Sequence, residues 1–138
     1  MGEKGPISSA FTIRSETRYL SALRRWVDAM ASLAGRSRVG RRARTALKMA
    51  LVEAVDNAIF HAHRGDRTRP IGVRMQVGPG SVVMEVKDTG PGLDHQPGRL
   101  PEGMALHGRG LYLIRSMMTS VRSRKGRGSH TLRMVLKI

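Results

Sequence analysis

Two short runs, residues 71–77 and 81–87, alternate apolar and polar side chains and are separated only by Gly78-Pro-Gly80. Side chains two apart along a strand share a face, so Val73, Met75 and Val77 line one side of the first run, and Val82, Met84 and Val86 one side of the second. The Gly-Pro-Gly segment reads as a hairpin turn, which makes the two strands antiparallel neighbours. A lone hairpin is marginal in water, and its apolar face has to be covered by other elements.

The rest of the chain supplies that cover. Residues 1–9 read as a flexible leader, followed by a short strand at Phe11-Thr-Ile13. Ser15 or Thr17 is placed to cap a helix running to about Ala34, with Tyr19, Leu23, Trp26, Val27, Met30 and Leu33 at helical spacing. After a break over Gly35 to Gly40, a longer helix is expected from Arg41 to Ala62. Its stripe of Leu47, Leu51, Val55, Ala58 and Ala62, flanked by Val52 and Ile59, should pack on the sheet. Prolines 91, 97 and 101 and the scarcity of apolar residues make Leu93 to His107 a loop. A helix over 110–119 follows, then strands at 121–124 and 131–138 around Gly126-Arg-Gly128. The order implies an α+β two-layer sandwich, a mixed, mainly antiparallel sheet covered on one face by three helices. At 138 residues the chain fits one such domain, here 10–138.

Composition removes several function classes. There is no apolar run of about 18 residues and no signal-peptide core, so a membrane span is not expected. The absence of cysteine excludes disulfides and thiolate metal sites and leaves a cytoplasmic location as the default. Twenty-five Lys and Arg against ten Asp and Glu give a net charge of +15, dense around Arg36, Arg38, Arg41, Arg42 and Arg44. Such a field attracts polyanions and acidic protein faces. With 4% aromatic residues and no stacking platform, nucleic-acid binding is not favoured. His61 and His63 are two apart on the expected helix and point away from each other, which disfavours a metal pair. His95, His107 and His130 stand isolated, and the methionines read as core filler.

Three pieces carry chemistry. Glu53, Asn57 and His61 recur every four residues and drift by only about 40° per step on a helix, so they share a face lined by Ala46, Ala50 and Ala54. Asp88 closes a strand and is followed by Gly90 and Gly92. A carboxylate only accepts hydrogen bonds, which suits an exocyclic amine such as that of adenine, and glycine permits close backbone approach. His107-Gly108-Arg109-Gly110-Leu111 is placed to open a helix, where unpaired N–H groups favour phosphate oxygens.

In this order the pieces resemble the ATPase superfamily of gyrase, heat-shock chaperones, histidine kinases and mismatch-repair proteins. The stretches Leu51-Val-Glu-Ala-Val-Asp-Asn57-Ala-Ile-Phe-His61-Ala and Gly108-Arg-Gly-Leu-Tyr-Leu-Ile-Arg-Ser-Met-Met118 are similar to its anti-sigma-factor serine kinase branch. The resemblance implies a Bergerat-type fold binding ATP and Mg²⁺, with a lid at about 93–107. It implies that Glu53 is the general base, Asn57 a magnesium ligand and Asp88 the adenine reader. Gly90 and Gly92 would admit the nucleotide, and Gly108, Arg109, Gly110 and Leu111 would cradle phosphates. His61 would close the pocket wall, and Ser129 would stand where the branch commonly has a Thr supporting the Asp. The partners implied are a sigma factor and an antagonist, anti-anti-sigma protein, with the chain a homodimer. A sensor-kinase catalytic domain working with a separate chain, or a nucleotide-binding regulatory module, is the alternative; no histidine here precedes an acidic residue, as a phospho-acceptor histidine normally does.

Overall fold

The computed structural model describes residues 5–35, 37–90 and 105–138, with 105–110 described by their backbone alone. Strands β1 (Ile7–Arg14), β2 (Pro70–Val77), β3 (Ser81–Asp88), β4 (Ser120–Gly126) and β5 (Ser129–Lys137) form one sheet in the order β1-β2-β3-β5-β4. Helices α1 (Leu20–Ala34), α2 (Arg41–Asn57) and α3 (Ala105–Met117) cover one face. Every pairing among the described residues is antiparallel, where a mixed sheet was expected. The reason is positional: β4 runs in the same direction as β3, but β5 lies between them.

The hairpin forms as its alternation requires. Gly78 N–H donates to the Ser81 carbonyl at 2.9 Å, and Val77, Met75 and Val73 face Val82, Met84 and Val86 across the ladder. All six are buried and join Leu132 and Met134 of β5 in the core. From the helical layer come Leu23, Val27 and Met30 of α1 and Leu47, Leu51 and Val55 of α2, each spaced to turn inward. Trp26 meets Phe11 edge-to-face at 4.7 Å and donates to the Ser9 hydroxyl at 3.3 Å, which seats α1 on β1. Lys48 and Asp28 pair at 3.1 Å between α2 and α1.

Several boundaries move. The first strand begins at Ile7, so residues 7–9 belong to it and not to a leader. Helix α1 starts at Leu20 after a 3-10 turn, Thr17–Tyr19, and Ser15 does not cap it, because its hydroxyl is bonded to His63. The long helix is α-helical only to Asn57; Ala58–Ala62 is a π-helical turn closed by His63 N–H to the Ala58 carbonyl at 3.0 Å. Helix α3 starts at Ala105, five residues ahead of expectation, because Ala105 and Leu106 are strong helix formers. Residues 93–104 of the expected lid lie outside the described residues.

Among the described residues, the sheet's other face is uncovered and basic. Arg14, Arg74, Lys87, Arg122, Arg124 and Arg133 are exposed there, and Glu85, paired with Arg74 at 3.2 Å, is the acidic member of the cross-strand row Arg74-Glu85-Arg133-Arg122. A shallow groove of about 280 Å³ between Ser120, Arg122, Arg133 and Val135 lies on this face.

Candidate nucleotide site

The site is built where the sheet ends against the long helix. Asp88, the last residue of β3, is 5% exposed, and its Oδ1 accepts the Gly90 N–H at 3.0 Å. That bond turns the chain out of the strand as Asp side chains do in tight turns. A Cβ on Gly90 would lie 2.5 Å from the Ala62 carbonyl oxygen and 2.6 Å from the Ala62 Cβ. Only glycine lets the strand exit press on the π turn, and that contact sets Asp88 beside the helix carrying Glu53 and Asn57.

Two buried histidines hold the exit from either side. The first is His63, whose Nε2 accepts the Thr89 N–H at 3.0 Å while its Nδ1 lies 3.0 Å from the Ser15 hydroxyl. Since Nε2 accepts from an amide, the hydrogen of the neutral ring sits on Nδ1 and is donated to Ser15. Burial pushes the His63 pKa below its ordinary value, against an upward pull from Asp88, with Arg69 adding to the fall and Asp66 opposing it. Arg69 also donates to the Thr89 carbonyl at 3.0 Å, and its own carbonyl accepts the Ser15 N–H. On the other side stands His130, 6% exposed, with Nδ1 3.2 Å from Asp88 Oδ2 and Nε2 hydrogen-bonded to the Ser123 hydroxyl.

His130 is a correction to the sequence reading, which gave the supporting position to Ser129. Strand β5 places Ser129 opposite Gly126, and His130 is the residue in register with Asp88. Neighbouring residues of a strand point to opposite faces, so Ser129 faces away from Asp88. The strands β3 and β5 are separated by a helix and β4, and a register between strands so far apart in sequence has no local signal. His63, considered from sequence only as half of a disfavoured metal pair, has a structural role that the expected α-helical end does not reveal; both of its ring nitrogens are committed to hydrogen bonds.

On α2, Glu53 and Asn57 are half-buried one turn apart, beside the buried Ala50 and Ala54. Their shared face is as expected for an (i, i+4) pair. His61 lies in the π turn, half-buried, so it departs from the α-helical spacing that placed it in the same row. Such turns are rare and recur at functional sites. Helix α3 packs against α2, and Leu111 joins the core from it. Gly108, Arg109 and Gly110 fall in the first two turns of α3 and do not open it, so the unpaired N–H groups of that end precede Gly108. Gly92 lies outside the described residues.

The donor set suits a purine nucleotide. Asp88 uses one acceptor position on each oxygen internally, leaving about half of its roughly four lone-pair sites for a ligand amine. Glu53 and Asn57 offer a carboxylate and an amide oxygen on the adjoining helix.

An antiparallel sheet backed by three helices, with a buried carboxylate at the end of a central strand, defines an α+β two-layer sandwich. The histidine kinase-like ATPase domain family matches residues 13–136, and the chain belongs to it. Among curated proteins, the serine-protein kinase RsbW of Bacillus licheniformis is 31% identical over 86 residues, 55% of this chain and 54% of the relative. The chain thus matches about half the length of that relative. Among solved structures, the RsbU and RsbW domains of a Mycobacterium tuberculosis protein superpose with a TM-score of 0.66 at 17% identity, covering 94% of this chain and 32% of that one. The histidine kinase domain of a blue-light activated kinase from Erythrobacter litoralis gives 0.56 at 16% identity, covering 83% and 60%. These two likenesses bear on the fold alone. No helix among the described residues is long and apolar enough to cross a membrane.

Proposed function

We propose that this chain is an ATP-dependent protein serine/threonine kinase of the anti-sigma-factor type, which holds a sigma factor and phosphorylates an antagonist protein that would otherwise release it. The observation that carries the reading is the buried Asp88 pressed, through Gly90, against the helix that bears Glu53 and Asn57. The family membership and the likeness to a serine-protein kinase support ATP as ligand and Ser or Thr as acceptor.

In this reading Asp88 accepts the adenine 6-amino group. Asn57 offers its amide oxygen to Mg²⁺, a hard cation that prefers oxygen ligands. Glu53, a turn away, accepts the proton of the attacking hydroxyl. Leu111 and the amides at the start of α3 border the phosphates, and His61 walls the cavity. ATP·Mg²⁺, when bound, supplies an electrophilic γ-phosphoryl group whose negative charge the Mg²⁺ offsets. The regular edge strand β1, free of proline, is the proposed seam of a homodimer.

The test is calorimetry with ATP and Mg²⁺ joined to transfer of radiolabelled phosphate to a candidate antagonist. Asp88→Asn should lose most ATP affinity, and Asn57→Ala its magnesium dependence. Glu53→Gln should still bind ATP while transfer falls by about 100-fold or more, the usual contribution of a general base. ATP binding without transfer to any antagonist, or transfer undiminished in Glu53→Gln, would overturn the kinase reading.

A further inference from the structure

We propose that His130, backed by Ser123, is a positioning residue that makes the site discriminate a 6-amino from a 6-oxo purine. The inference rests on the nucleotide reading of Asp88 and adds two side chains to it. Three hydrogen bonds carry it: Gly90 N–H to Asp88 Oδ1 at 3.0 Å, His130 Nδ1 to Asp88 Oδ2 at 3.2 Å, and Ser123 Oγ to His130 Nε2.

Their directions are constrained. A carboxylate has no hydrogen to give, so the contact at Oδ2 is satisfied only when His130 carries its hydrogen on Nδ1. In the neutral ring Nε2 is then a lone pair, and the Ser123 hydroxyl is the donor that meets it. Ser123 sits on the edge strand β4, diagonal to His130 on the same face, and so selects the tautomer from the far side of the ring. Asp88 and His130 are each more than nine-tenths buried, where an unmatched pairing is costly.

The result is a carboxylate pinned at both oxygens by donors and offering only acceptor lone pairs outward. A purine amine satisfies them. A 6-oxo group would set oxygen against oxygen, leaving buried acceptors unpaired, the arrangement by which polar sites reject near-isosteres most strongly. Leucine at 130 would free one oxygen, and the carboxylate could rotate to escape the clash.

Calorimetric titration with ATP and with inosine triphosphate, which differ only in the purine ring at position 6 and its neighbouring nitrogen, tests this. The wild type should prefer ATP by about 100-fold or more, His130→Leu should lower that ratio at least about tenfold, and His130→Asn, which keeps a donor near Nδ1, should restore most of it. Ser123→Ala, on an exposed edge, should lower the ratio about threefold and decides the matter if His130→Leu does not fold. An ATP-to-inosine ratio unchanged in the folded variants overturns the role of His130 while wild-type ATP binding, lost in Asp88→Asn, preserves the nucleotide reading. A wild type that binds neither nucleotide overturns both.

Discussion

At the sheet end of the site, Asp88, Thr89 and Gly90 are fixed by two buried histidines, an arginine and a backbone contact with Ala62. At the other end, α3 begins with a turn and a half that includes Gly108 and Gly110, each costing a helix about 1 kcal/mol relative to alanine. One end spends its polar groups on holding a single geometry. The other has a backbone that is inexpensive to rearrange. In the proposed reading, the half that would read the base is therefore preorganised, and the half that would face the phosphates is the part whose conformation a bound anion would set.

The most severe disruption of this contrast is at Gly90. Alanine there puts a methyl within 2.6 Å of backbone and Cβ atoms that have nowhere to go. Overpacking of this kind costs about 3 kcal/mol, and Gly90→Ala should show it in urea unfolding together with lost ATP affinity. A variant as stable as wild type would mean that the strand exit does not bear on the helix as described.

The fold was largely legible because its signals are local. Val73, Met75 and Val77 declare a strand face, Leu47, Leu51 and Val55 a helix face, and Gly78-Pro-Gly80 a hairpin, each readable within a few residues. Asp88, Glu53 and Asn57 stand out for the same reason, as local motifs, and their roles belong to the proposed reading. What the sequence hid is what depends on non-local register or on a departure from ideal geometry. His130 reaches Asp88 only because β5 pairs with β3 in one register. His63 reaches Thr89 only after a π turn that periodicity cannot forecast.

His63 gives the second break. His63→Leu leaves the Thr89 N–H and the Ser15 hydroxyl without their partner, a loss of about 2 kcal/mol. It should also change the pH dependence. Burial holds the folded-state pKa of His63 below 6.5, so as pH falls through 6.5 the unfolded chain takes up a proton that the folded chain resists. Stability from this position is whole above that value and declines below it, since a hydrogen on Nε2 would oppose the Thr89 N–H. Urea midpoints measured from pH 7.5 down to 5 should fall in the wild type and fall less in His63→Leu. Parallel curves would remove His63 from the account.

The smallest effect has the opposite sign and tests the other half of the comparison. Gly110→Ala should stabilise α3 by about 1 kcal/mol, because glycine inside a helix carries an entropic cost that alanine does not. If that end of α3 has to rearrange around phosphate, the added stability resists the change, and ATP affinity should drop by up to about tenfold as melting temperature rises. Adenosine, lacking phosphates, should bind the variant and the wild type alike, because Asp88 and its two histidines are untouched. A variant that gains stability and binds ATP undiminished would place both ends of the site in the same class, each rigid before the nucleotide arrives.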